Sequence, residues 1–233
     1  MASYFPAFPK TADVARGAFY EFLAMALFVF LGCGAAASNV RKFSGSGEWD
    51  PAATLAIALQ FGLAITTLAY ATAHASGGHI NCAVTWGLTL AGECHPVRAA
   101  VYLVAQLLGS VLGAALLQGV TAQSTGLVNE NGTKLDRSGA LGANGFQNAS
   151  VTDGHAFLAE AVCTFLLVLV VLETAVHKKA VTTDGEHSVL GNKMNLAPIP
   201  IGFAVFLAHV VCIPVRIISD LWRSCFFPAV VLF

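Results

Sequence analysis

Five long apolar segments carry most of this chain, near residues 17–39, 51–73, 97–121, 154–177 and 196–214. Each is close to the roughly 20 residues that an α-helix needs to cross the hydrocarbon core of a bilayer. The pattern predicts five spanning helices. Between the second and third lies a shorter run, SGGHINCAVTWG at 76–87, which is too brief and too interrupted to span. Gly77 and Gly78 permit a tight turn without a Cβ clash. Asn81 then stands at a helix start, where Asn is a preferred N-cap. The spacing predicts a half-helix from about Asn81 to Ala91. A helix beginning inside a membrane directs its unpaired N–H groups and positive dipole end toward the bilayer centre. Irregular backbone at that depth is tolerated only where protein buries it or it lines a watery cavity. That is the geometry of a pore.

Composition agrees with a membrane setting. Of the residues, 56% are hydrophobic and 11% charged, with a mean hydropathy of +0.71, against roughly 25% charged in a soluble domain. A net charge of −1 offers no basic footprint for nucleic acid. Cys33, Cys82, Cys94, Cys163, Cys212 and Cys225 show neither CxxC pairing nor metal-ligand spacing and read as buried free thiols. No Ser/His/Asp set, metal cluster or phosphate loop stands at usable spacing, so no enzyme, cofactor or metal is expected. The polar, proline-bearing N-terminus lacks a signal-peptide layout and is expected to stay on the mature protein.

The longest connection, residues 122–153, is rich in Gly, Asn and Ser and holds two glycosylation acceptors, Asn131 and Asn148. Used as such, they place this loop outside the cytosol. Three spans precede it, which puts the N-terminus on the cytosolic side. Lys10, Arg16, Arg98, Lys178, Lys179 and Lys193 then lie inside, against Arg41, Lys42, Lys134 and Arg137 outside, a small bias in the expected direction.

The chain also repeats itself. The opening of the first span, GAFYEFLAMALFVF at 17–30, is similar to AFLAEAVCTFLLVL at 156–169, and each holds one carboxylate, Glu21 and Glu160. With three spans before the second copy, the two halves enter the membrane from opposite sides, an inverted repeat whose site belongs at the midplane between broken helices. The first repeat covers about residues 17–121 and an incomplete second one 154–233, within a single domain of 1–233. An intramembrane carboxylate marks a functional site by default. Accepting N–H bonds from a re-entrant loop is favoured here over touching substrate, because a carboxylate on the pore wall would draw cations.

The paired Glu-bearing spans, SGGHINCAVTWG, AQLLG at 105–109 and APIPIGFAVFLAH at 197–209 resemble aquaporins, the major intrinsic protein family. The last stretch is most similar to plant plasma-membrane intrinsic proteins and their algal or protist relatives. The resemblance runs to about Pro214. It implies an all-α, inverted-repeat bundle of six spans, with two half-helices meeting at Asn-Pro-Ala motifs. It also implies a homo- or hetero-tetramer in the plasma membrane with one pore per subunit. Here Asn81-Cys82-Ala83 replaces the first motif, keeping the Asn that would donate to a passing oxygen and losing the first-turn Pro. Two members of the family's narrow selectivity ring map onto Phe61 and His209, and His79 is expected to support the loop.

The second half departs from the pattern. Alignment places the second motif at residues 221–223, inside the run 216–227, which holds neither Asn-Pro-Ala nor glycine. The selectivity arginine falls on Ser224, with Arg223 beside it. The sixth helix is expected to be missing after Phe233. The leading expectation is a passive water channel, impaired by these departures. The competing ones are a non-conducting regulatory subunit or degenerate copy, and a channel for small neutral solutes such as glycerol, urea, ammonia or peroxide.

Overall fold

In the computed structural model, residues 4–43, 51–121, 152–176 and 196–213 are described. They form six α-helices: α1 (Thr11–Phe43), α2 (Pro51–Ser76), α3 (Cys82–Leu90), α4 (Pro96–Thr121), α5 (Asp153–Val171) and α6 (Pro198–Cys212). A wider π-type turn, Leu172–Val176, continues α5. Four helical stretches are long and apolar enough to cross a membrane: Thr11–Ser38, Pro51–Ser76, Pro96–Thr121 and Gly154–Val176. The fifth expected span is described as the 15-residue α6. The first begins six positions earlier than its apolar pattern, because Asp13 in the first turn answers the positive end of the helix.

Local chemistry explains the boundaries. Pro51 and Pro96 open α2 and α4, where a missing N–H costs nothing. The far end of α3 closes in a Schellman turn, with Glu93 N donating to Leu88 O (2.9 Å) and Gly92 N to Thr89 O (3.0 Å). Gly92 supplies the left-handed φ of 77° that this turn requires. The Tyr4 hydroxyl reaches back to donate to Leu90 O, another carbonyl at that end.

Small residues set the helix spacing. A Cβ on Gly109 would lie 2.3 Å from Phe22 O, and one on Gly113 2.3 Å from Ala26 O, so α4 lies directly against the α1 backbone. The crossing of α2 and α6 repeats the device, since a Cβ on Gly62 would meet Gly202 O at 2.7 Å. Gly62 lies 41 positions beyond Glu21 and Gly202 lies 42 beyond Glu160. Gly113→Val therefore forces α4 off α1 and is expected to cost about 3 kcal/mol. A clear fall in melting temperature in detergent is the check.

The bundle keeps its large apolar side chains on both inner and outer surfaces. Met25, Phe28 and Val29 of α1 are buried, whereas Leu55, Leu59 and Leu63 of α2 and Phe165 of α5 remain exposed. Such an outer surface is suited to lipid rather than water. The half-helix α3 sits inside, packed on α4 and α5, with Gly87 directly against Val168.

Candidate functional site

The loop between α2 and α3 is built from backbone conformations that a helix cannot use. Gly77 and Gly78 have φ of 96° and 64°, and Ile80 has φ of 48°. Positive φ is strained for a β-branched residue, so Ile80 must be held there. Glu21 of α1 does this. Fully buried, its Oε1 accepts from Ser76 Oγ (2.6 Å) and His79 N (3.0 Å). Its Oε2 accepts from Ile80 N (2.7 Å) and Gln106 Nε2 (2.8 Å). One carboxylate thus ties α1, α2, α4 and the loop together, and its charge is answered by donors rather than by a cation.

Around it lies a network of polar side chains in which the sequence pattern singled out His79 but not Gln106, Tyr102 or Thr85. Gln106 also donates to Thr85 Oγ1 (3.1 Å), and the Tyr102 hydroxyl donates to Ser76 O (2.9 Å). His79 places Nδ1 3.1 Å from Thr85 Oγ1 and its ring edge-on to Tyr102, supporting the loop. The available signal was a polar residue isolated in an apolar span, as Gln106 is in α4.

Asn81 caps α3 through Oδ1, which accepts from Ala83 N (2.7 Å) and Val84 N (3.1 Å). This use of the oxygen directs the amide's N–H donors elsewhere. Cys82 is buried in the first turn of α3 and Ala83 is half-buried beside it. A cavity of about 600 Å³ reaches Asn81 from the end of the bundle where α1 and α4 begin and α2 ends. Gly77, Gly78 and His79 line it with Asn81, and its mouth carries Asp13, Arg16, Glu93 and Arg98.

Phe61 and His209 come together, but not across this cavity, whose lining includes neither. Their rings stack directly, with centroids 4.3 Å apart and planes at 18°. Phe61 is pressed on α1, where Gly32 leaves room for the ring (a Cβ there would lie 2.3 Å from Phe61 Cε1) and Phe28 meets it edge-on. His209 Nδ1 donates to Val205 O at 2.8 Å, which fixes the other ring.

Glu160 is half-buried in α5, not buried like Glu21, and the run 216–227 that should answer it lies outside the described residues. So do Arg223, Ser224, Asn131 and Asn148.

Comparison with known proteins follows the same lines. The family model for major intrinsic proteins matches residues 9–230. A protein of Oryza sativa subsp. japonica named aquaporin PIP2-5 is 39% identical over 205 residues, covering 86% of this chain and 66% of its own length. Pig (Sus scrofa) aquaporin-1 is 35% identical over 201 residues, covering 85% of this chain and 65% of its own. The chain thus spans just under two thirds of the length of these relatives. The X-ray structure of the aquaglyceroporin from Plasmodium falciparum shares the fold, with a TM-score of 0.64 at 23% identity over 87% of this chain and 74% of that one.

Proposed function

This chain belongs to the major intrinsic protein family, and we propose that it forms a passive water pore with the cavity below Asn81 as one vestibule. The observation that carries this reading is the half-helix α3. Its N-terminus ends in mid-bundle at the head of a cavity, held there by Glu21. Such a terminus presents hydrogen-bond donors to a neutral oxygen, while its positive dipole end opposes cations. Water entering between Arg16 and Arg98 would exchange bulk hydrogen bonds for those of the loop backbone and the Asn81 amide. Phe61 lies fifteen positions before Ser76 on α2, which puts it roughly 22 Å from the mouth along the helix. The Phe61–His209 stack then closes the far end of the path, and passage requires these rings to part.

The reading extends to the setting. The N-terminus and the cavity mouth face the cytosol, the membrane is the plasma membrane, and the exposed apolar faces of α2 and α5 meet lipid and neighbouring subunits of a tetramer. The two copies about Glu21 and Glu160 act as inverted halves of a single domain. Purified protein reconstituted in liposomes should shrink under an osmotic step faster than protein-free vesicles, and Asn81→Ala should slow it. Shrinkage no faster than that of empty vesicles would overturn the proposal.

A further inference from the structure

Two cysteines that the pore does not use meet between α5 and α6. Cys163 and Cys212 are 49 positions apart, yet their sulfurs lie 3.4 Å from each other, in van der Waals contact. Cys163 is buried, with its thiol directed toward Ala208 O of α6 at 3.9 Å. Cys212 is only partly buried, at the last position of α6. One thiol is therefore accessible and the second waits directly behind it.

We propose that Cys163 and Cys212 are a redox modification site that forms a disulfide with a hydroperoxide, hydrogen peroxide in the simplest case, as oxidant. The Cys212 thiolate attacks one peroxide oxygen. An S–O bond forms, the O–O bond breaks, and the leaving hydroxide takes a thiol proton to become water. The Cys163 thiolate then attacks the sulfenic sulfur, forming S–S and breaking S–O, and the second oxygen leaves as water with the second thiol proton. Two thiols are oxidised, one peroxide is reduced, and two waters result.

The geometry is favourable because a disulfide needs the sulfurs to close by about 1.4 Å from their present contact. Side-chain rotation at the final turn of α6 is the smallest movement that supplies it. The bond would fasten α6 to α5 one turn beyond His209, and so restrain the turn that holds the His209 ring on Phe61. Cys212 lies at the end of α6 opposite Ile201, the α6 residue near its start that lines the cavity. With the N-terminus cytosolic, as proposed above, that end faces the compartment where disulfides persist.

The test uses the full chain in liposomes, exposed to hydrogen peroxide, then denatured, alkylated and digested without reductant for mass spectrometry. Expected is a linked Cys163–Cys212 peptide pair, with loss of two alkylatable thiols per chain and an upward shift in melting temperature. Dithiothreitol should reverse both. Cys163→Ser and Cys212→Ser should each abolish the link, and Cys225→Ser should leave it. Oxidation of Cys212 to sulfinic or sulfonic acid without a link would overturn the proposal, as would a link to Cys225 or no oxidation of either thiol. Because the peptide map reads chemistry rather than permeability, it stands or falls separately from the water-pore reading.

Discussion

Glu21→Ala should prevent this chain from holding a folded re-entrant loop. The substitution leaves the backbone N–H groups of His79 and Ile80, the Ser76 hydroxyl and the Gln106 amide without their acceptor. Each buried donor left unpaired costs about 1–3 kcal/mol. Even with partial relaxation, the total is several kcal/mol, comparable to the roughly 5–15 kcal/mol by which a folded domain survives. Ile80 would also lose the bond that holds its left-handed backbone. The expected result is aggregation, or a sharply lower melting temperature in detergent, together with loss of any osmotic permeability. Glu21→Gln tests the charge separately from the shape. It keeps one acceptor oxygen but turns an NH2 toward donors, so it should fall between wild type and Glu21→Ala. A Glu21→Ala protein that is monodisperse and melts with wild type would show that the carboxylate does not organise the loop.

The sequence makes much of this arrangement legible because the bilayer restricts the choices. Apolar length identifies the helices, and the pair of glycines before Asn81 can only be an irregular entry to a short helix. A carboxylate in an apolar span must be answered, and irregular backbone near it is the available partner, which is how Glu21 finds His79 and Ile80. What a one-dimensional pattern cannot carry is lateral contact. Gln106 and Tyr102 on α4 reach the loop only because Gly109, Gly113 and Gly17 let α4 lie against α1, and nothing in their own spacing reports that approach. The same limit applies to Phe61. Its place opposite His209 follows from the inverted repeat, whereas the direct stacking depends on Gly32, on a third helix, making room for the ring. Glu160 is less buried than its repeat partner, and symmetry alone does not specify how tightly the second carboxylate is enclosed.

Phe61→Ala should change selectivity more than any other single substitution outside the Glu21 network. Phe61 and His209 are buried, and their stacking at 4.3 Å leaves no passage between the rings. Removing the Phe61 ring deletes one side of this closure and opens a void bordered by Phe28, Gly32 and His209. In a sealed core, such a void costs about 3–5 kcal/mol. If the site is instead the outer narrowing of a pore, water fills the space and part of that cost disappears. The mutant is then expected to pass glycerol several-fold faster relative to water, with a modest loss of thermal stability. Gly32→Ala provides the opposite perturbation. Its new Cβ would stand 2.3 Å from Phe61 Cε1, pushing the ring further onto His209 and lowering water permeability. Stopped-flow light scattering with osmotic and glycerol gradients measures both. An unchanged glycerol-to-water ratio in Phe61→Ala, combined with a full core-sized fall in melting temperature, would place Phe61 in structural packing and remove it from the pore.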